Sequence, residues 1–179
     1  GALGELFRAR DNRTGQMVAL RLVDAAIAGD PARREALLAA VHCVKAVSDP
    51  RVPALADDGQ AGDRLYFAHA FAEGQPLSAY AGGRPVDVHT ATEIAEQVAD
   101  SLASASSVHG VVHGALEPAS ILVAPGNRVS ILHLGLAEWT GRGAARSAAA
   151  GLTGGESGPA DSAIARQARY MSPEQALGE

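Results

Sequence analysis

The sequence predicts an α+β fold, on three observations. Strand-like alternation comes first, in two runs on either side of a turn cluster near the amino-terminal end. A long stretch with apolar residues at helical spacing comes later. Two short apolar runs joined by Gly126-Asn127 follow that helix. Strands first and helices after describe segregated elements, not an alternating strand-helix-strand chain with a parallel sheet.

The elements follow in order. Leu6 to Arg10 alternates, Asp11 to Gln16 is a turn cluster containing Gly15, and Met17 to Val23 resumes the strand, so the segment is predicted to form a β-hairpin. Asp30-Pro31 has the form of an N-cap followed by proline at the first helical position. Leu37, Leu38, Ala40, Val41 and Val44 then recur at helical spacing, which predicts a helix from Pro31 to Val47. Two short strands are expected at Val52–Ala56 and Leu65–Ala70, with Asp57 to Asp63 as the turn between them. Glu73-Gly74 opens a connector. From Val88 to Val108 the pattern is helical again, with Ile94, Val98, Leu102 and Ala105 on one face. An irregular segment, Gly110 to Ser120, leads into strands at Ile121–Val123 and Val129–Leu132. Gly141 to Ala168 is rich in Gly, Ala and Ser and lacks periodicity, so it is read as a mobile loop.

Composition narrows the classes of function. The chain has 179 residues, 47% of them hydrophobic and 20% charged, as in a globular domain. No apolar run reaches the roughly 18 residues that a membrane span needs. A net charge of -5 argues against nucleic-acid binding, which usually shows a basic stripe. One cysteine, Cys43, excludes an internal disulfide and a multi-cysteine zinc site. There are 38 alanines but a single lysine, Lys45, so the commonest point-charge ligand for phosphate is nearly absent. With only 4% aromatic residues, the core must be built from Leu, Val, Ile and Ala.

The order of the chemistry-bearing segments is more informative than any one of them. Gly1-x-x-Gly4 precedes the Leu6–Asp11 strand. Val18-Ala19-Leu20-Arg21 follows, and Glu35 sits on the next helix. His113-Gly114-Ala115-Leu116-Glu117-Pro118-Ala119-Ser120-Ile121-Leu122 comes later, then His133-Leu134-Gly135, and finally Tyr170-Met171-Ser172-Pro173-Glu174-Gln175. This series resembles a bacterial-type serine/threonine protein kinase domain, in degenerate form, from the glycine-rich loop to the Ala-Pro-Glu element. The resemblance implies a two-lobe, protein-kinase-like fold. Residues 1–72 would form a small β-rich N-lobe with one helix, and residues 73–179 a partial helical C-lobe. It further implies helices beyond Glu174 that complete the lower lobe.

Residue by residue, the resemblance implies lost chemistry on a kept framework. Gly1 and Gly4 match the last two glycines of the phosphate loop, whose amides approach phosphates; two glycines alone equally suit an ordinary strand turn. Arg21 stands where the family has its phosphate-holding lysine, and Glu35 where it has the pairing glutamate. Arginine keeps the charge but is longer and forked, so Arg21 is read either as a phosphate contact or as a structural ion pair with Glu35. Ala115 replaces the aspartate that handles the substrate hydroxyl. Glu117 replaces a lysine beside the γ-phosphate, which turns attraction into repulsion. Ser120 and His133 replace the two magnesium ligands, and magnesium wants hard oxygens. His133 alone suits a packed core histidine, since no ligand cluster accompanies it.

Ala19 and Leu122 match the residues that sandwich adenine, and His69 falls at the back of that slot. Ala70 and Ala72 would offer hinge backbone groups. The pattern implies a pseudokinase: no intact catalytic residue, no metal site, no required cofactor, and ATP or ADP as a ligand held without magnesium. Protein partners, such as another kinase or a signalling protein, and a cytoplasmic location go with that reading. No nucleic-acid partner is expected, and any membrane attachment would fall outside these residues. Two alternatives stay open: an active kinase with a displaced catalytic group, and an interaction domain with no ligand.

Overall fold

The computed structural model describes residues 3–136, together with Trp139, Arg169, Tyr170, Ser172 and Pro173. The segment 141–168, read above as a mobile loop, lies outside the described residues, as does Gly1.

The amino-terminal hairpin forms as the alternation predicts. Strand β1 (Gly4–Arg10) pairs antiparallel with β2 (Met17–Val23) in a register that sets Leu6 opposite Arg21 and Arg8 opposite Ala19. The turn is closed by Asp11, whose carboxylate accepts from the Arg13 backbone N–H at 2.8 Å and the Thr14 hydroxyl at 2.7 Å. Gly4 is a requirement, not a convenience. Its φ is +119°, and a Cβ there would lie 2.0 Å from the Leu22 carbonyl oxygen.

Two helices then cross one face of the sheet. A single turn, α1 (Ala25–Ala28), is capped by the Asp24 side chain at Ala26 N, 2.9 Å away. It is too short for periodicity to reveal. Helix α2 (Pro31–Lys45) starts as expected, with the Asp30 carboxylate accepting from the N–H groups of Ala32 and Arg33. Leu37, Val41 and Val44 are its buried face.

The next hairpin corrects the expectation. Strand β3 is Leu55–Ala61, not residues 52–56, and β4 is Arg64–Ala70, so only Gly62 and Asp63 turn the chain. The polar run Asp57-Asp58-Gly59-Gln60 has the composition of a turn. It extends here because β3 is the sheet edge and faces water, where charge is tolerated and discourages further pairing. A bulge between Leu55 and Asp57 lets it follow the twist. The four strands run in the order β1-β2-β4-β3.

A second sheet follows, three-stranded and in the order β5-β6-β7, from β5 (Gln75–Pro76), β6 (Ile121–Ala124) and β7 (Arg128–Ile131). The short helix α3 (Leu77–Ala81) ends at Gly82 in the left-handed conformation. Helix α4 (Val88–His109) is capped by Asp87 at Thr90 N and closed by Gly110, φ +65°. Its buried stripe is Ile94, Val98, Ser101 and Ala105. Ser101 takes the place expected of Leu102, which is partly buried and packs beside two apolar clusters.

Among the described residues, three apolar clusters hold these layers together. One lies between the four-stranded sheet and α2, with Val23, Leu37, Val41, Leu65 and Phe67. One lies between α4 and the small sheet, with Ile94, Val98, Ile121 and Ile131. The third joins the two halves: Val44 and Val47 at the end of α2 meet Ala105 and Val111 at the end of α4, with Leu134 between them. Arg51 reinforces that junction. It holds Asp49 through Nε at 3.0 Å and donates from Nη1 to the Gln97 carbonyl of α4 at 3.0 Å. Burial pushes the Asp49 carboxyl up, but the side-chain and backbone hydrogen bonds from Arg51 outweigh it and hold the group below the usual carboxylate range.

Candidate nucleotide cleft

Between the two sheets lies a cleft of about 290 Å³. Strand alternation builds its upper wall. On β2, Val23 is core while Arg21 and Ala19 continue the same face outward. On β4, Leu65 and Phe67 are core and His69 continues that face. Register places Arg21 opposite Phe67 and Ala19 opposite His69, so both pairs reach the cleft side by side. Leu122 of β6, with Ile131, forms the opposite wall, and the crossing chain supplies Ala70, Phe71 and Ala72. Gly74 follows with φ +128°. A Cβ there would lie 2.8 Å from the Val123 carbonyl oxygen, so glycine lets the connector press against β6.

The inner end of the cleft carries Arg21 and His133. Arg21 Nη2 is 3.5 Å from His133 Nε2; the guanidinium only donates, so Nε2 offers its lone pair. His133 has φ +62°, unusual for a residue with a Cβ. The segment around it is anchored on both sides, with Leu134 and Leu136 buried in two different clusters. Gly135, φ +68°, lies between them, and a Cβ there would meet Val44 Cγ2 at 3.0 Å.

His69 differs from both. Its ring stands edge-on to Phe67, with centroids 5.5 Å apart. Burial, and then the Arg21 charge, push its pKa from 6.5 down to about 4, so the imidazole is neutral at physiological pH.

Several expected site residues stand elsewhere. Glu35 is exposed, and no ion pair joins it to Arg21. Two residues before Leu37 is about 200° around a helix, which turns Glu35 to solvent while Leu37, Val41 and Val44 face inward. Gly4 starts β1 against the β2 backbone and is outside the cleft lining, so its requirement is steric.

Ser120 is fully buried. Its hydroxyl donates to the Glu117 carbonyl at 2.7 Å and accepts from the Glu117 N–H at 3.1 Å, capping the single 3₁₀ turn Pro118–Ser120. Ala115 is buried and its N–H donates to His113 Nδ1 at 3.3 Å. His113 Nε2 meets the Leu132 carbonyl at 3.0 Å. A carbonyl only accepts, so Nε2 carries the proton, and this histidine ties the loop to the chain just before His133. Ala115, Glu117 and Ser120 do not line the cleft. Leu6, Phe71 and Gly74 do line it and were missed. Phe71 lies between the two expected hinge alanines, and Leu6 sits opposite Arg21 once the hairpin register is known.

Comparison with known proteins bears on this architecture. No protein-family model matches the chain. The serine/threonine-protein kinase PknB of Mycolicibacterium smegmatis is 31% identical over 190 residues, covering 100% of this chain and 28% of that protein. PknA of Mycobacterium tuberculosis is 28% identical over 185 residues, covering 99% of this chain and 39% of that protein. The chain thus spans well under half the length of these curated relatives. The PknI kinase domain of M. tuberculosis superposes with a TM-score of 0.65 at 18% identity, over 99% of this chain and 83% of that structure.

This is a protein-kinase-like domain. Its fold is that of the solved kinase domain, and its sequence is homologous to bacterial serine/threonine kinases along its whole length. The expected resemblance and α+β kinase fold therefore hold. No described helix of the kinase-like domain is long and apolar enough to cross a membrane.

Proposed function

We propose that this kinase-like domain is catalytically inactive and serves a regulatory or scaffolding role in signalling, binding nucleotide weakly and without magnesium. The observation that carries this is the cleft's lining, which contains no carboxylate and no lysine among the described residues. Its ionisable groups are Arg21, His69 and His133. Magnesium gives up water reluctantly and takes oxygen ligands. A basic inner end offers it none, and the described residues hold no group of three His, Cys, Asp or Glu side chains placed for a metal. The Ser120 hydroxyl is already committed to the Glu117 backbone. Ala115 has no group to orient a substrate hydroxyl. What the cleft keeps is a flat apolar slot between Ala19 and Leu122, backbone groups at Ala70 and Ala72, and the Arg21 charge for phosphate oxygens.

In this reading the domain acts on protein partners in the cytoplasm, such as another kinase or a signalling protein, and does not transfer phosphate. Two measurements on the full-length protein test it. Incubation with labelled ATP and magnesium should label neither the protein nor a generic protein substrate; labelling that Arg21→Ala abolishes would restore the enzyme reading. Calorimetric titration should give ADP and ATP similar affinities in magnesium or chelator. A tenfold preference for ATP that appears only with magnesium, about 1.4 kcal/mol, would refute the metal-free reading.

A further inference from the structure

The crossing chain separates the nucleotide cleft from a second concavity. This is an open groove of about 790 Å³, walled by the loop after α2, the crossing chain and β7. Ala70, Phe71 and Ala72 line both the cleft and the groove, so the two share one partition. The walls are tied to one another. The Ala70 N–H donates to the Ala54 carbonyl at 2.8 Å, which joins the crossing chain to the loop. The Ile131 N–H donates to the Arg51 carbonyl at 2.7 Å, which joins β7 to the same loop. Pro50 and Pro53 restrict the loop backbone on either side of Arg51. A groove held in this way is formed before anything binds, which lowers the ordering cost of association.

The charges on this groove are unevenly spent. Lys45, the chain's single lysine, and Arg128 both line it and are exposed, and neither side chain has a hydrogen bond or ion pair among the described residues. Of the two carboxylates in the lining, Asp49 is already held by Arg51 and is nearly buried. Glu73 is exposed. Two free cations therefore face one free anion, on a chain whose net charge is -5. Apolar groups, Pro50, Pro53, Ala54 and Phe71 among them, make up most of the remaining wall. We infer that this groove docks an extended acidic segment of a protein partner. Its aliphatic side chains lie on the apolar wall and its carboxylates meet Lys45 and Arg128. The inference rests on the regulatory reading above and gives that partner a surface and a chemistry. Nucleic acid fits less well, because two cations on a net-negative chain neutralise too few phosphates. Since the crossing chain stands between groove and cleft, the segment and a nucleotide can be bound together.

The test applies the full-length protein to an array of short peptides. Each has an Asp-Glu pair at both ends, a central serine, and Leu, Val, Ile or Pro varied on either side of it. A matched array carries Asn-Gln pairs at the ends. The tightest acidic peptides should bind about tenfold better than their amide counterparts, the scale of two exposed charge pairs. The double variant Lys45→Glu, Arg128→Glu should lose that preference. Arg33→Glu with Arg84→Glu makes the same change of net charge at two exposed arginines outside the groove, and should keep it. All four sites are exposed, so thermal midpoints should barely move. No preference for acidic ends, or equal loss of it in both double variants, would overturn the inference and leave the inactive reading intact. Labelled phosphate appearing on the central serine with ATP and magnesium would refute the inactive reading and leave the docking surface standing.

Discussion

Replacing His69 should change how the domain's stability depends on acidity. The folded imidazole takes a proton only near pH 4, whereas the unfolded one does so near 6.5. Between those values the unfolded state binds more protons, so stability rises with pH across the window. The neutral ring's contribution is complete above about pH 6.5 and is lost as pH falls toward 4. At pH 5 the loss comes to about 2 kcal/mol, and it levels off near 3 kcal/mol in stronger acid. His69→Leu removes the titrating group while keeping an apolar side chain against Phe67. Urea unfolding of the two proteins at pH 7.5 and pH 5 isolates the effect, because carboxylates common to both cancel. The unaltered protein should lose about 2 kcal/mol more than the variant between the two pH values. Equal losses would show that the ring is solvated in the fold, and would remove the basis for a neutral histidine in the cleft.

Three further substitutions probe the frame around the cleft. Gly4→Ala should destabilise by about 3 kcal/mol, because its Cβ would strike the Leu22 carbonyl at a backbone angle that disfavours any side chain; thermal unfolding reads the effect, and an unchanged midpoint would exclude the close approach. Leu37→Ala should cost about 3 kcal/mol by leaving a cavity between α2 and the sheet, whereas Glu35→Ala on the solvent side should change stability by less than about 0.5 kcal/mol. Arg51→Ala should cost about 2 kcal/mol, since it takes the side-chain partner from the Asp49 carboxylate and the guanidinium bond from the Gln97 carbonyl; hydrogen exchange around Gln97, midway along α4, should rise with it.

Local chemistry alone determined much of this protein. The Asp30-Pro31 cap, the turn at Asp11, the α4 periodicity and the β6-β7 hairpin each follow from residues close together in the chain, whose interactions need no distant partner. That Ala115 carries no carboxylate and His133 an imidazole is equally plain in the sequence, because residue type does not depend on the fold. Other features depended on contacts between distant segments. The Asp57–Gln60 run could be a turn or an edge strand until β4 paired with it on one side only. Glu35 suited a pairing role by order along the chain, but the helix rotates to bury Leu37, Val41 and Val44, and that rotation turns the carboxylate away from Arg21. The resemblance marked Ser120 as the replacement of a metal ligand, but that its hydroxyl closes on the Glu117 backbone came only from the packed loop. His69 was a histidine in an apolar strand; its neutral state arises from burial beside Phe67 and from the Arg21 charge on the adjacent strand. Solvation, register and helix rotation are set by the minimum of the whole packed chain, and that minimum is where the side chains of the cleft acquire their properties.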